Sequence, residues 1–145
     1  MAESGSPQQR CREELQTVAS VVGEALLDDG FRYLPGDVGT SSGGPFATGF
    51  LVHPAVRIGL IVRTNGLGGV VYEVEGVSTS HEGLLHELGI HQKAQLGFDS
   101  DRMVSVAKDA GDPVEALVAD LVDLVLPMLR LNPDQIADAI EEGAS

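Results

Sequence analysis

Cysteine is nearly absent from this sequence, since Cys11 is the only one in 145 residues. One cysteine forms no internal disulfide and builds no thiolate metal site. A chain without disulfides fits a reducing compartment. The first seven residues also lack the basic segment followed by an apolar one that opens a secretory signal. We therefore expect a cytoplasmic protein.

Positive charge is scarce as well, with 9 Lys and Arg against 22 Asp and Glu, which gives a net charge of −13. A surface this acidic repels nucleic-acid backbones and anionic membranes. The longest apolar stretch, residues 114–131, is interrupted by acidic side chains and by Pro127, and it is too short and too polar to cross a bilayer. We expect neither nucleic acid nor a membrane as a partner.

Motifs for cofactor binding are missing. The glycine-rich segments 36–44 and 66–69 lack the Gly-x-x-x-x-Gly-Lys-Ser/Thr pattern, and neither leads from a strand into a helix. The segment that begins at Asp99 resembles the start of a calcium loop, but Val104 and Ala110 stand where that loop needs Gly and Glu. Cys11 lies on the apolar stripe of a predicted helix, where thiols are usually inert. The sequence predicts no catalytic residue and no cofactor.

Three histidines lie five residues apart, at His81, His86 and His91. Neighbours at this spacing point about 140° apart on a helix. A zinc-binding helix instead places its histidines at i and i+4, on one face. Glu82 with His86, and Glu87 with His91, have the spacing of surface pairs. We predict solvated histidines and no metal site.

The hydrophobic periodicity predicts an α+β fold around an antiparallel sheet. Apolar residues recur at helical spacing after Ser6, and the period changes to two from Phe46 onward. The predicted elements are a helix over 7–29, a three-stranded meander within 46–75, a short helix over 81–88, a hairpin over 94–107, a helix over 113–126 that Pro127 kinks or ends, and an extra C-terminal helix over 133–143. The order is α-β-β-β-α-β-β-α before that last helix. We expect residues 1–6 to be a disordered tail and residues 7–145 to form a single domain.

Two details of the sheet follow from the alternation. Arg57 and Arg63 should be more exposed than the aliphatic residues between them, and should pair across strands with Glu73 and Glu75. Residues 31–34 favour a short leading strand, and the Gly- and Ser-rich residues 35–45 are predicted to be a loop.

The helix that begins near Val114 has an unusually broad apolar surface, covering about 160° of the cylinder where one sheet face needs about 100°. The excess must be covered by the first helix, by the C-terminal helix or by a second subunit. A symmetric dimer is the commonest way to hide such a surface between subunits. The residues predicted for a dimer or partner interface are Val114, Leu117, Val118, Leu121, Val125 and Met128.

The order of elements resembles the type III secretion chaperone-like fold, and especially its YbjN-type branch. The segments that carry the resemblance are the strand over 57–62, the short helix around Leu84-Leu85-His86-Glu87-Leu88, the hairpin over 94–107 and the helix over 113–129. Proteins of this kind are generally dimers that bind other polypeptides and catalyse no reaction. The resemblance therefore implies a homodimer with a polypeptide partner.

The leading hypothesis is a non-catalytic protein-binding module, chaperone-like or adaptor-like, for which the acidic surface suits a basic or aggregation-prone client. An immunity-type protein belongs to the same class. The alternatives are a small-molecule-binding regulatory domain, which a deep apolar pocket would favour, and an enzyme without a recognisable motif, which convergent titratable groups would favour.

Overall fold

The computed structural model describes residues 6–41, 44–109 and 111–144. Residues 1–5 of the predicted tail lie outside this range, so that prediction stays open. The α+β class is confirmed. The helices are α1 Pro7–Leu26, α2 His81–Glu87, α3 Pro113–Asp120, α4 Leu126–Leu131 and α5 Pro133–Ala144. The strands are β1 Arg32–Ser41, β2 Gly44–Val52, β3 Arg57–Arg63, β4 Gly66–Val74, β5 Val77–Ser80, β6 Leu96–Asp99 and β7 Val104–Ala107.

The main sheet has five antiparallel strands in sequence order rather than the predicted three, and β6 pairs with β7 in a separate hairpin. Most of the predicted loop over 35–45 belongs to β1, which pairs with β2 along its length and shifts register between Pro35 and Val38. Positions 42–43 of that loop are outside the described residues. Pro35 is accommodated because β1 is an edge strand, where a missing N–H breaks no ladder on its free side. The sheet therefore begins before the predicted meander and extends beyond it.

The two faces of the main sheet differ in burial. Ile58, Leu60 and Val62 are completely buried, while Arg57 and Arg63 are partly exposed, so the predicted alternation is confirmed. Helix α1 packs across β1, β2 and β3, and α5 packs across β4 and β5. The helices cover the face with the aliphatic side chains, which forms the core.

The helix ends follow the predicted caps. The Ser6 hydroxyl accepts a hydrogen bond from the Gln9 backbone N–H at 3.0 Å, and Pro7 occupies the first turn of α1. Helix α1 ends at Leu26 and continues as a 3₁₀ turn to Asp29, where Gly30 has a left-handed φ of 86°. The first helix is thus three residues shorter than predicted.

Pro127 does not end its helix. A π-helical turn over Leu121–Val125 joins α3 to α4, and the Leu126 N–H bonds to the Leu121 carbonyl five residues back. Proline has no N–H for the carbonyl of Asp123, and its ring would clash with that carbonyl in a regular α-helix. The wider turn relieves the clash, so the helical path continues to Leu131.

Most of the broad apolar surface of these helices is covered within the chain, although Val122 remains 39% exposed. Leu117, Leu121 and Val125 are at most 1% exposed. The other three residues of the predicted interface, Val114, Val118 and Met128, are partly buried against the same core. Helix α1 packs on α3, and α5 packs on α4. The first and last helices therefore cover the surface for which a second subunit was also considered.

Candidate functional site

The face of the main sheet opposite the helices is only partly covered. Residues directly opposite one another in an antiparallel ladder share a face, so the strand register identifies its members. We call this surface the open face. Apart from glycines and the small polar residues Thr48, Ser78 and Ser80, it comprises Arg32, Leu34, Phe46, Phe50, Val52, Arg57, Ile61, Arg63, Val71 and Glu73. These side chains are exposed or of intermediate burial.

Arginine stacks on aromatic rings across the open face. The Arg57 guanidinium carbon lies 3.9 Å from the Phe50 ring centroid, close enough for a cation–π interaction. Gly59 lies opposite Phe50 in the ladder. A Cβ at Gly59 would lie 3.5 Å from the Phe50 ring and 2.8 Å from Val71 Cγ2, so the glycine leaves room for both side chains. Arg63 lies over the ring of Phe46 at 5.9 Å. The open face thus combines aromatic rings with guanidinium groups.

One of the two predicted cross-strand pairs is present. Arg57 Nε lies 3.6 Å from a carboxylate oxygen of Glu73. The pairing of Arg63 with Glu75 is wrong, because Arg63 faces Gly66 in the ladder and Glu75 lies in the β4–β5 turn with a positive φ of 52°. The open face contains three arginines and one glutamate, so it is locally basic on a chain with a net charge of −13.

A cavity of 280 Å³ lies where the open face meets the β6–β7 hairpin. Strand β5 pairs only with Val71–Val74 of β4, and β7 contacts β4 beyond that point. The apolar side chains that line the cavity are Ile61, Val70, Val71, Leu96, Phe98 and Met103. Phe98 and Met103 are 41% and 54% exposed, so they border its mouth.

Glycines leave the space that the cavity occupies. Asn65-Gly66 and Gly68-Gly69 both have the sequence of a hairpin turn with positive φ. Gly66 has a φ of 122°, whereas Gly68 and Gly69 lie within β4. Gly69 faces Ile61 in the ladder, and a Cβ at Gly69 would lie 3.8 Å from Ile61 Cδ1, an ordinary contact. A side chain at this position would therefore fit the backbone and occupy the cavity.

Ser105 brings a polar group to the cavity wall. It lies opposite Phe98 in the hairpin, on the same side as Leu96, and it is 3% exposed. Within the described part of the chain, its hydroxyl has no hydrogen-bond partner. Among the described residues, the one fully buried side-chain nitrogen or oxygen without a hydrogen-bond partner is Arg57 Nε. Ser105 Oγ therefore keeps some contact with solvent in the cavity, where a ligand atom could replace water as its partner.

Behind the cavity lies a buried chain of hydrogen bonds. The prediction that His81 is a solvated surface residue is wrong, since it is 5% exposed. His81 Nδ1 is 2.7 Å from the Tyr72 hydroxyl, and Nε2 is 2.9 Å from Asp120 Oδ2. The Asp120 carboxylate also accepts the backbone N–H groups of Gln95 and Leu96, at 2.7 and 3.0 Å. These bonds join β4, α2, the start of β6 and α3.

Burial determines the protonation of Tyr72 in this row of hydrogen bonds. Burial raises the pKa of Tyr72 well above its ordinary value, and the negative charge of Asp120 raises it further. The phenol therefore keeps its proton and lies within hydrogen-bond distance of Nδ1 of His81, whose Nε2 faces Asp120. Both ring nitrogens are engaged within the chain, so His81 stabilises the structure and offers no free base to the cavity.

The other two histidines of the series are exposed, as predicted. The rings of His86 and His91 are 5.0 Å apart, and His86 Nδ1 lies 3.9 Å from a carboxylate oxygen of Glu87 rather than pairing with Glu82. Among the residues that the structure describes, no three His, Cys, Asp or Glu side chains are close enough to hold a metal ion.

A Gly-x-Ser-x-Gly pattern occurs at residues 39–43 and was overlooked in the sequence. In hydrolases this pattern places the serine on a sharp turn from a strand into a helix. Here Ser41 is the last residue of β1, and Gly44 begins the antiparallel strand β2. The Ser41 hydroxyl accepts a hydrogen bond from Arg63 at 3.3 Å. The pattern therefore belongs to a hairpin and lacks the context of a nucleophile.

Comparison with family models, with curated proteins and with solved structures found no match. In the described residues, every helix is too short or too polar to cross a lipid bilayer.

Proposed function

We propose that this chain is a non-catalytic protein-binding module, chaperone-like or adaptor-like, and that it holds a polypeptide partner on the open face. The observation that carries the proposal is the stacking of Arg57 on Phe50 on a partly exposed sheet surface. Phe, Met and Arg are enriched in protein interfaces, and arginine and aromatic residues are frequent hot spots. An immunity-type protein would use such a surface in the same way.

The charges of the open face favour a particular kind of partner segment. Its three arginines and single glutamate attract acidic side chains, while Phe46, Phe50 and Ile61 offer apolar contacts. The acidic remainder of the surface repels other anions and steers the segment to this face. The partner segment we propose has acidic residues interspersed with apolar ones, which differs from the basic client suggested by the net charge alone.

Affinity capture with matched variants tests the proposal. The immobilised chain is incubated with an extract of its native organism, and bound proteins are quantified by mass spectrometry. The open-face variants are Phe50→Ala and Arg57→Glu. The control is Arg12→Glu, which makes the same charge change on the exposed side of α1. Circular dichroism first confirms that every variant is folded.

We expect a partner that the wild type and Arg12→Glu retain and that both open-face variants lose by at least about tenfold, as at a hot spot. Retention of every captured protein by Phe50→Ala and Arg57→Glu would refute the open face as the binding surface. Equal loss with Arg12→Glu would indicate attraction by overall charge alone, and would refute it too.

The predicted homodimer is a separate proposal. Leu117, Leu121 and Val125 are buried within one chain, so a dimer has to use another surface, and Leu121→Asp is expected to unfold the chain rather than to split a dimer. Sedimentation equilibrium that gives only a 15.2 kDa species up to about millimolar concentration would exclude a dimer.

A further inference from the structure

We propose that the cavity between the open face and the β6–β7 hairpin binds a small apolar molecule that ends in a carboxylate, such as an aliphatic acid of about ten non-hydrogen atoms. This ligand site adjoins the polypeptide surface and shares Ile61, Arg63 and Val71 with it. The chain would then bind a small molecule as well as a polypeptide, as in the alternative of a regulatory domain considered above.

The size of the cavity sets the size of the ligand. An apolar cavity of about 150 Å³ is large enough to bind benzene, with its six ring carbons. The cavity here measures 280 Å³, which corresponds to roughly ten to twelve non-hydrogen atoms at the same packing. That is small for a drug-like ligand pocket and suits a short chain or one ring with a substituent.

The side chains of the cavity wall indicate that most of the ligand is apolar. Ile61, Val71 and Leu96 form an apolar surface, and Phe98 and Met103 stand at the mouth. Met103 has a positive φ of 55°, a conformation that is uncommon for a residue without special turn chemistry. The backbone thus holds a flexible thioether side chain beside the opening, where it can close over ligands of different shape.

Two groups at the wall favour a carboxylate. The Ser105 hydroxyl has no hydrogen-bond partner among the described residues, and Ser105 lines the cavity. Arg63 also lines the cavity, and it has no carboxylate partner among the described residues. Its Cγ and Cδ lie beside Gly68 at the cavity wall. The hydrogen bonds of its guanidinium group, to the Ser41 hydroxyl at 3.3 Å and to the Gly44 carbonyl at 3.4 Å, are both long. A guanidinium group and a hydroxyl are the donors that recognise a carboxylate. Glu82 borders the cavity as well, but it is exposed to solvent.

Titration of the purified chain with nonanoate tests the proposal, with 1-nonanol as the neutral analogue. Isothermal calorimetry measures affinity, and amide NMR shifts of Gly69, Gly97 and Ser105 locate the ligand. We expect a dissociation constant on the order of 100 µM for nonanoate, as for a ligand of this size, and at least about tenfold weaker binding of the alcohol, as expected for loss of a charge-assisted hydrogen bond.

Three variants separate the contributions. Gly69→Val fills the cavity and should weaken nonanoate binding by about tenfold or more. Ser105→Ala removes the hydroxyl and should weaken it by roughly three- to tenfold, while Ser78→Ala, at an exposed position of β5, is the matched control. Met103→Gly fits the positive φ and opens the mouth without straining the turn, so it remains informative where Gly69→Val fails to fold.

Several outcomes would overturn the proposal. These are no binding of nonanoate up to its solubility limit, equal affinity for 1-nonanol, NMR shifts away from the cavity, or unchanged affinity in Gly69→Val and Met103→Gly. Tighter binding of a short peptide with a free C-terminal leucine would assign the cavity to a partner's chain end and overturn the small-molecule reading. The assay contains no protein partner, so its failure leaves the protein-binding proposal untouched.

Discussion

At the scale of single residues, Asp120 is the most connected polar group of the interior. Its carboxylate accepts hydrogen bonds from two backbone N–H groups and faces Nε2 of His81. Asp120→Asn replaces one acceptor oxygen with a donor, which leaves a buried donor facing another donor. We expect a loss of about 2–3 kcal/mol in the free energy of unfolding, measured by urea denaturation.

Asp123 provides the control for this prediction, since it lies in the same helical segment and is exposed. Asp123→Asn should change the stability by less than about 0.5 kcal/mol. Equal effects of the two substitutions would mean that the buried hydrogen bonds of Asp120 contribute nothing specific.

Cys11 is 1% exposed, which should limit its reactivity. Burial raises the pKa of its thiol, although Arg10 and Arg63 partly oppose the shift. Little thiolate is therefore present near neutral pH. Reaction with a disulfide reagent should be much slower in the native chain than in urea, and it should accelerate as the pH is raised. A native rate equal to the unfolded rate would contradict this expectation.

The contacts of some residues could be predicted from the sequence, and those of others could not. The caps at Ser6 and Asp112 have local signals, and both hydrogen bonds form. His81 had no such signal, because its partners Tyr72 and Asp120 are 9 and 39 residues away. The spacing of the histidines predicted three solvated side chains, whereas His81 begins α2 and its ring bonds to Tyr72 of the sheet. Cavity residues such as Ser105 were equally hidden, since two separate sheets create the space.

At the scale of elements, the contact between α5 and β5 depends on one glycine. A Cβ at Gly143 would lie 2.6 Å from Thr79 Oγ1, and Thr79 is buried. Gly143→Ala should destabilise the chain by about 1–2 kcal/mol through overpacking, although alanine favours helix formation more than glycine does. Denaturant unfolding measures the change.

A second substitution distinguishes the clash from a general effect on α5. Thr79→Ala removes the hydroxyl and the methyl group, so Gly143→Ala should cost less in that background, with a coupling of about 1 kcal/mol. Additive effects of the two substitutions on the free energy of unfolding would show that contact with Thr79 does not cause the destabilisation by Gly143→Ala.

Element boundaries were predictable where the local pattern agreed with the tertiary structure. Strand β3 and the β6–β7 hairpin have clear alternation, and both form. Only the start of strand β1 was predicted, as the short leading strand over 31–34. Its continuation to Ser41 was predicted to be a loop because its Pro and Gly residues disfavour a strand, but pairing with β2 overrides this preference. Pro127 was predicted to kink or end its helix because proline disrupts a regular α-helix. The π turn that accommodates it has no recognisable pattern in the sequence.

At the scale of the whole molecule, the net charge of −13 opposes the compact state. In the described residues, the ion pairs that Arg57, Arg102 and Arg130 make with acidic side chains are at least partly exposed, so screening of the repulsion should dominate. We expect the melting temperature to rise by several degrees from about 10 mM to about 300 mM sodium chloride, over which the Debye length shortens severalfold. Differential scanning calorimetry measures it, with potassium chloride as a control for ion-specific effects. A melting temperature that falls with salt would contradict this expectation.

The order of the strands also bears on how fast the chain folds and unfolds. Each strand of the main sheet pairs with its neighbour in sequence, so successive hairpins can form with little loop-closure entropy. By contrast, Arg130 bonds to both carboxylate oxygens of Asp29 across 101 residues, at 2.7 and 2.8 Å. This contact can form only after the sheet has brought the two ends of the chain together. Arg130→Gln should therefore accelerate unfolding and leave the refolding rate nearly unchanged in stopped-flow measurements. The ion pair would then slow the unfolding of the native chain without contributing to the transition state of folding.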